Sequence, residues 1–388
     1  MYYESVDKYI KGAFMMQFRD LQKQYQSLKD EIDREIQTVL DSSNYISGSQ
    51  VVELEEQLAD YVGVKHCISC ANGTDALQLA LMAWNVGQGD AVFVPDFTFF
   101  STGEVVCACQ ATPVFVDVDP VTYNMSAQSL EQAIEKVIAQ GGLTPKVIIP
   151  VDLFGQPADY DALLPIARKY NMLVLEDGAQ GFGGSIRNKK SGTFGDIATT
   201  SFFPAKPLGC YGDGGAIFTD NDEWAGLLRS YRIHGKGESK YDNVRIGMNS
   251  RLDTLQAAVL KVKLKAFAEV ELDAVNRVAQ QYTEGLKGQV VTPVILQDFY
   301  SSWAQYTIQL KDSETRNTLQ QFLKEKGIPS MIYYSKPMHL QKAFAYMDYS
   351  EYSFDVTNRL CDTVLSLPMH PYMTAEDVEV VVQAVKAL

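Results

Sequence analysis

Hydrophobic positions along the chain first recur at helical spacing and then gather into short runs. Between about residues 17 and 40, Leu21, Tyr25, Leu28, Ile32 and Ile36 fall on one face of a polar segment, which predicts an amphipathic helix. Ser42, Ser43, Asn44, Gly48 and Ser49 interrupt it, and a second helix is expected over 51–61. Beyond this point the pattern alternates. Apolar runs stand at 66–69, 91–94, 113–116, 146–151 and 172–175, with helix-like segments at 75–84, 101–109, 129–140 and 160–170 between them. Strand, crossover helix and strand in this order predict an α/β fold. Its sheet is mostly parallel, helices cover both faces, and ligands bind at the carboxyl ends of the strands.

After Asn249, residues 252–275 read as one long helix with Leu255, Ala258, Val259, Val262 and Leu264 on one side. An apolar run at 306–310, a helix at 314–326 and a last helix at 375–388 predict a smaller α+β lobe. No repeat or low-complexity linker separates the parts. The expected division is an N-terminal extension over 1–16, a large lobe over 17–265 and a packed C-terminal lobe over 266–388.

Composition narrows the function classes. A chain of 388 residues can bury a sizeable core, and 46% hydrophobic with 21% charged residues is an ordinary globular composition. A formal charge of -14 argues against nucleic acid or an anionic membrane as the main partner. No apolar run reaches the roughly 18 to 20 residues that span a bilayer. Met1-Tyr2-Tyr3-Glu4-Ser5 lacks the basic-then-apolar order of a signal peptide, so a cytoplasmic location is expected. Cys67, Cys70, Cys107, Cys109, Cys210 and Cys361 fit no four-ligand spacing, so they read as unpaired thiols and no metal site is expected.

The candidate chemistry centres on Thr199-Thr200-Ser201-Phe202-Phe203-Pro204-Ala205-Lys206-Pro207-Leu208-Gly209. Prolines fix φ on both sides of Lys206 and glycines follow. Such a preset loop suits a lysine that presents its amine to a carbonyl, here as a Schiff base with pyridoxal 5'-phosphate (PLP). Three other stretches fall where strands should end. Ala71-Asn72-Gly73-Thr74-Asp75 opens a helix whose N–H groups suit a phosphate. Glu176-Asp177 ends a buried strand with an acid suited to a pyridine nitrogen, and Pro95-Asp96-Phe97-Thr98-Phe99-Phe100 supplies an aromatic that could stack on the ring. Singly each has a plainer reading: a solvated lysine, a capped helix, a turn-capping acid, core aromatics. Their order joins them: phosphate turn, aromatic, strand-end acid, lysine.

These stretches resemble the fold-type I PLP enzymes and, within them, the nucleotide-sugar aminotransferases of the DegT/DnrJ/EryC1/StrS family. The resemblance runs from about Met16 onward. It is carried by Asn72-Gly73-Thr74-Asp75-Ala76-Leu77, Glu176-Asp177-Gly178-Ala179-Gln180, Ser201–Lys206, Gly212-Asp213-Gly214-Gly215 and Gly247-Met248-Asn249-Ser250-Arg251-Leu252-Asp253. It implies a seven-stranded, mostly parallel sheet with a smaller C-terminal domain. It also implies that Lys206 is the Schiff-base lysine and proton shuttle, and that Asp177 holds the pyridinium. Gln180 would lie near the ring oxygen and Phe99 against the ring; Gly73, Thr74 and Ser201 would hold the phosphate. Asn249 would reach the phosphate in the partner subunit, making the active site a property of a homodimer. Gly178 stands where many relatives carry alanine, and Phe99 where some carry tryptophan or tyrosine; neither change removes chemistry. Relatives that dehydrate sugars carry histidine at the position of Lys206, so the lysine favours aminotransfer.

The resemblance further implies L-glutamate as donor, 2-oxoglutarate as its product and a cofactor that cycles through pyridoxamine 5'-phosphate. The acceptor would be a nucleotide-linked keto sugar used for surface polysaccharide, and the kinetics ping-pong. The string from Arg245 to Ala258 looks most like relatives acting at C3 of UDP-2-acetamido-2-deoxy-ribo-hex-3-uluronate. A 4-amino or deoxy-sugar aminotransferase using a dTDP- or UDP-keto sugar is the alternative, and a non-catalytic PLP-binding regulator is the reading from another class. One feature supports a nucleotide without the family. Arg229, Arg232, Lys236, Lys240, Arg245 and Arg251 crowd a stretch whose acids are only Glu238 and Asp242, which suggests either a diphosphate site or a solvated charged loop. Arg251 is the best single candidate for the diphosphate. Tyr333 and His339 are candidate sugar or cofactor neighbours; a satisfied structural role is an equal reading for His339 and the favoured one for His66 and His370.

Overall fold

In a computed structural model, residues 16–239 and 241–387 are described; Lys240, Leu388 and nearly all of the expected N-terminal extension lie outside the described residues. Helix α1 (Leu21–Ser42) begins where the Asp20 carboxylate accepts the Lys23 N–H at 2.8 Å. Ile32 is fully buried on its apolar face, in one cluster with Val259 and Val262. Helix α2 (Ser49–Val62) follows and ends at Gly63, whose φ of 91° turns the chain into the sheet.

The alternation then runs β1 (His66–Cys70), α3 (Gly73–Ala83), β2 (Asp90–Pro95), α4 (Ser101–Ala108), β3 (Thr112–Val116), α5 (Ala127–Gln140), β4 (Thr144–Ile148), α6 (Tyr160–Lys169) and β5 (Leu173–Asp177). A minor ribbon of β6 (Ser185–Ile186) and β7 (Lys189–Lys190) precedes β8 (Ile197–Ser201), β9 (Gly215–Thr219) and α7 (Asp222–Tyr231). The seven-stranded sheet has the order β1-β9-β8-β5-β4-β2-β3. Only β9 runs against its neighbours, so the sheet is mostly parallel, as expected. Its strands are buried on both faces, between one core containing Leu77, Val94 and Leu175 and others containing Phe93, Val174 and Phe218.

Two expectations change. The strand over 146–151 ends at Ile148, and Val151 keeps only an isolated bridge to Asp177. The single helix over 252–275 is instead α8 (Thr254–Ala266), a π turn (Phe267–Glu271) and α9 (Leu272–Leu286). Hydrophobic spacing continues through a π turn, so the pattern gave no sign of it. Beyond lie β10 (Phe299–Tyr300), which pairs with β6, then β11 (Tyr306–Gln309), α10 (Ser313–Glu325), α11 (Asp355–Thr363), β12 (Val364–Leu367) and α12 (Ala375–Lys386). Strands β11 and β12 pair antiparallel, and a separate core of Tyr282, Tyr306, Leu319, Leu365 and Val381 fills this part.

Candidate active site

The parallel pairing of β5 with β8 sets Asp177 opposite Thr199, so the chain leaves both strands at the same end of the sheet. Lys206 lies in the loop that follows β8. Fully buried Phe202 and Cys210 anchor the loop's two ends, joined by a Cys210 N–H to Phe202 carbonyl bond of 2.8 Å. Between them the Lys206 N–H donates to the Phe203 carbonyl at 2.9 Å. A Cβ at Gly209 would stand 2.4 Å from the Pro204 carbonyl oxygen, so closing the loop requires glycine there. The Lys206 side chain is half-buried. Desolvation, helped by the charge of Arg19 and opposed by Asp177, pushes its amine down to about 8.

Asp177 is 4% exposed. Its carboxylate accepts hydrogen bonds from Thr102 Oγ1 at 2.9 Å and from the Ala179 N–H at 3.2 Å. Burial raises its pKa; those two bonds and Lys206 oppose the rise. Among the described residues no cation lies within salt-bridge distance of it, so a buried acid stands without an ion-pair partner. Gln180 belongs to a turn rather than a helix. Its side chain accepts from the Phe154 N–H at 2.8 Å and donates to the Tyr334 hydroxyl at 2.9 Å, while Ser302 Oγ donates to its carbonyl at 2.8 Å. Ser302 and Tyr334 therefore bring the C-terminal part of the chain to the strand ends.

At the start of α3, Asn72 accepts the Asp75 N–H at 2.8 Å, and Thr74 Oγ1 meets Ser101 Oγ at 2.8 Å. A Cβ on Gly73 would lie 2.7 Å from Ser201 Cβ, so the α3 N-terminus and the end of β8 close on each other. Gly73, Thr74, Ser101 and Ser201 thus surround one helix N-terminus with hydroxyls and unpaired N–H groups, a donor set suited to a phosphate. A buried Asp177 without an ion-pair partner suits a protonated pyridine nitrogen, and Lys206 supplies the amine. The residues present fit PLP. Phe99 is 54% exposed, with its ring centroid 6.5 Å from that of Tyr334. His339 is pinned by fully buried Asp96, which accepts from its backbone N–H at 2.8 Å and meets Nδ1 at 2.6 Å. Its ring stacks on Phe354 with centroids 4.2 Å apart.

The basic stretch forms a cavity of about 950 Å³ lined by Ser47, His234, Lys236, Arg245 and Arg251 among others. None of the cofactor candidates of this chain lines it. Arg232 is committed elsewhere, to Glu55 at 2.5 Å and to the Ser69 carbonyl at 2.6 Å, which makes it a structural residue. Asn249 is exposed, and Tyr333 is half-buried with its ring 6.2 Å from Phe18. His66 meets Asp222 at 2.6 Å, whereas buried His370 leaves Nδ1 unpartnered among the described residues, and desolvation pushes it down to about 4. Motif reading passed over Ser101 and Thr102, and within the motifs it quoted it singled out Tyr333 rather than Tyr334 and gave Asp96 no role. The only available signal was Ser101-Thr102 directly after the aromatic run. No described group of His, Cys, Asp and Glu could hold a metal ion, and no described helix is long and apolar enough to cross a membrane.

The fold and this set of strand-end residues define a fold-type I, α/β aminotransferase scaffold. Residues 26–386 match the DegT/DnrJ/EryC1/StrS aminotransferase family, and the chain belongs to it. It is 46% identical over 373 residues to the UDP-2-acetamido-2-deoxy-3-oxo-D-glucuronate aminotransferase of Pseudomonas aeruginosa, covering 95% of this chain and 99% of that protein. It is 42% identical to a pleiotropic regulatory protein of Geobacillus stearothermophilus, covering 94% and 96%. A crystal structure of a DegT DnrJ EryC1 StrS aminotransferase from Brucella abortus superposes with a TM-score of 0.93 at 48% identity, covering 96% of this chain and 99% of that one.

Proposed function

We propose that this chain is a PLP-dependent aminotransferase that moves the amino group of L-glutamate to C3 of a UDP-linked 2-acetamido-2-deoxy-3-oxo-hexuronate, in the cytoplasm, for surface polysaccharide. The observation that carries the chemistry is the preset Lys206 loop beside buried Asp177, which lacks an ion-pair partner among the described residues, at the ends of adjacent parallel strands. The sugar rests on the similarity to the Pseudomonas aeruginosa enzyme.

When bound, PLP supplies a carbonyl that accepts the amine and a ring that stores electrons. Asp177 would hold the ring nitrogen in its protonated form, and Thr102 and the Ala179 N–H hold its carboxylate in place. Gly73, Thr74 and Ser201 would hold the phosphate with the α3 N-terminus, Gln180 would lie near the ring oxygen, and Phe99 would stack on the ring. Lys206, with its amine lowered to about 8, takes a proton from one carbon and returns it to another. Arg251 binds the diphosphate, and Tyr333 and His339 face the sugar. Asn249 completes the site of the partner copy in a homodimer, whose lobes divide near residue 266.

The test is product analysis. Purified protein with PLP, L-glutamate and the 3-keto hexuronate should yield 2-oxoglutarate and a sugar aminated at C3, with ping-pong kinetics. Turnover of only a 4-keto sugar would move the assignment to that class. The similarity to a protein named as a regulator favours one second reading, a PLP-binding regulator without turnover. Unchanged function in cells after Lys206→Ala would select it.

A further inference from the structure

A second set of charged groups lies behind the Lys206 loop, and the chemistry above makes no use of it. Arg19, just before α1, donates from Nη2 to the carbonyl of Pro207 at 3.2 Å. Lys263 of α8, only 1% exposed, donates to the carbonyl of Gly209 and lies 5.0 Å from the Tyr211 ring centroid. Two cations from separate helical regions thus hold two carbonyls of one short loop. The acid whose charge acts on both is Glu271 in the π turn, 4% exposed, whose own oxygens are occupied by Gln24 at 2.9 Å and the Tyr372 hydroxyl at 2.5 Å. Among the described residues no carboxylate comes within salt-bridge distance of the Arg19 guanidinium.

We propose that Arg19 is a positioning residue for Lys206: its guanidinium, seated on the carbonyl next to the lysine, holds the loop and sets a second positive charge beside the amine that the loop presents. This rests on the reading of Lys206 as the cofactor-binding amine. Two positive charges brought into one poorly hydrated region disfavour each other, and the amine is the one that can give up its proton. The groups surrounding the loop are Asp177 from β5, Arg19 from the N-terminal segment, Lys263 from α8, Glu271 from the π turn, Tyr211 from the loop's own continuation and Tyr372 from the C-terminal region. Asp177 works against Arg19 at Lys206, and Glu271 works against it at Lys263. Desolvation remains the larger influence on both lysines, so the field of Arg19 adds to burial. Lys263 feels the same guanidinium and is likewise pushed down to about 8, so the arrangement carries its own internal reporter.

The experiment is competitive trace acetylation of the full cofactor-depleted protein across pH, with Lys206 and Lys263 peptides read by mass spectrometry. In the wild type both should be half-labelled near pH 8. Arg19→Gln retains a hydrogen-bond donor but no charge, and both midpoints should rise by roughly 0.5 pH unit, with surface lysines unmoved. Arg19→Lys retains the charge and should leave both near their wild-type positions. A merely structural role predicts the reverse, with Gln tolerated and no movement in either peptide. That result overturns the proposal, as does an equal rise in the Lys variant. If Arg19→Gln does not fold, the Lys variant decides alone: midpoints held low support the role of charge, and raised midpoints reject it. An ordinary wild-type Lys206, half-labelled near 10.5, would instead overturn the reading of Lys206 itself.

Discussion

Asp177 and Gln180 are each 4% exposed and hydrogen-bonded by their neighbours at the strand ends, whereas Tyr241 and Ile246 in the basic stretch stand 86% and 90% exposed beside an open cavity. The first region is built largely from one chain: β1, β5 and β8 deliver their residues to one place because parallel strands must all end on the same side. The second region is a loop with exposed apolar side chains, and of its described cations only Arg232 lies within salt-bridge distance of an acid. Exposed apolar groups next to a polar cavity suit a surface that a second copy covers, in line with the proposed dimer. The difference separates the work. Under the proposed function, bond chemistry would sit where the sheet fixes geometry, and substrate selection where another molecule would complete it.

The largest effect should come from Lys206. Lys206→Ala removes both the amine that holds the cofactor and the group that moves the proton, so turnover should fall by about 10⁴-fold or more. The protein should also lose its yellow absorbance with PLP, and borohydride should no longer fix the cofactor onto this position. Residual turnover within tenfold of wild type would break the assignment of chemistry to the strand-end region. Gly73→Ala tests the same region by shape. Its new Cβ would meet Ser201 at 2.7 Å, and overpacking of roughly 1 to 3 kcal/mol should weaken PLP binding roughly 5- to 150-fold. Fluorescence titration of the cofactor-depleted protein measures this directly.

Arg251→Ala addresses the other region. Losing a charge-assisted contact of about 1.5 kcal/mol should raise KM for the nucleotide sugar roughly tenfold, leaving the glutamate half-reaction unchanged. A loss in the half-reaction with glutamate alone would show that the two regions are not separable, and the comparison would fail.

Sequence pattern made the strand-end region legible because period and punctuation encode it. Alternating runs gave the parallel sheet, and Gly73, Asp177 and Lys206 each lie at a strand end where a turn residue marks the spot. The π turn at Phe267–Glu271 was invisible because one extra residue in a helical turn leaves the hydrophobic spacing nearly intact. Charge counting showed that the basic stretch is unusual but could not divide its members. Arg232 proved tied to Glu55, which is 177 residues away and carries no local signal. Thr102 was hidden for a related reason. It stands on α4, 75 residues before the acid it supports, and a threonine in the first turn of a helix has many ordinary explanations.

Thr102→Val should give the smallest effect and discriminate most finely. The exchange keeps the branched shape and removes one hydrogen bond to a buried carboxylate. That bond is the largest influence opposing the burial that raises the pKa of Asp177, so its loss should raise it further. A carboxyl that protonates at higher pH can no longer hold a protonated ring nitrogen over the same range. The acidic limb of the kcat/KM profile should therefore move to higher pH, with activity at its plateau reduced only several-fold. KM for the sugar should not change, because Thr102 lies on the side of the site that the sheet builds. An unmoved acidic limb would mean that burial alone governs Asp177 and that the strand-end region needs less internal support than its hydrogen bonds suggest.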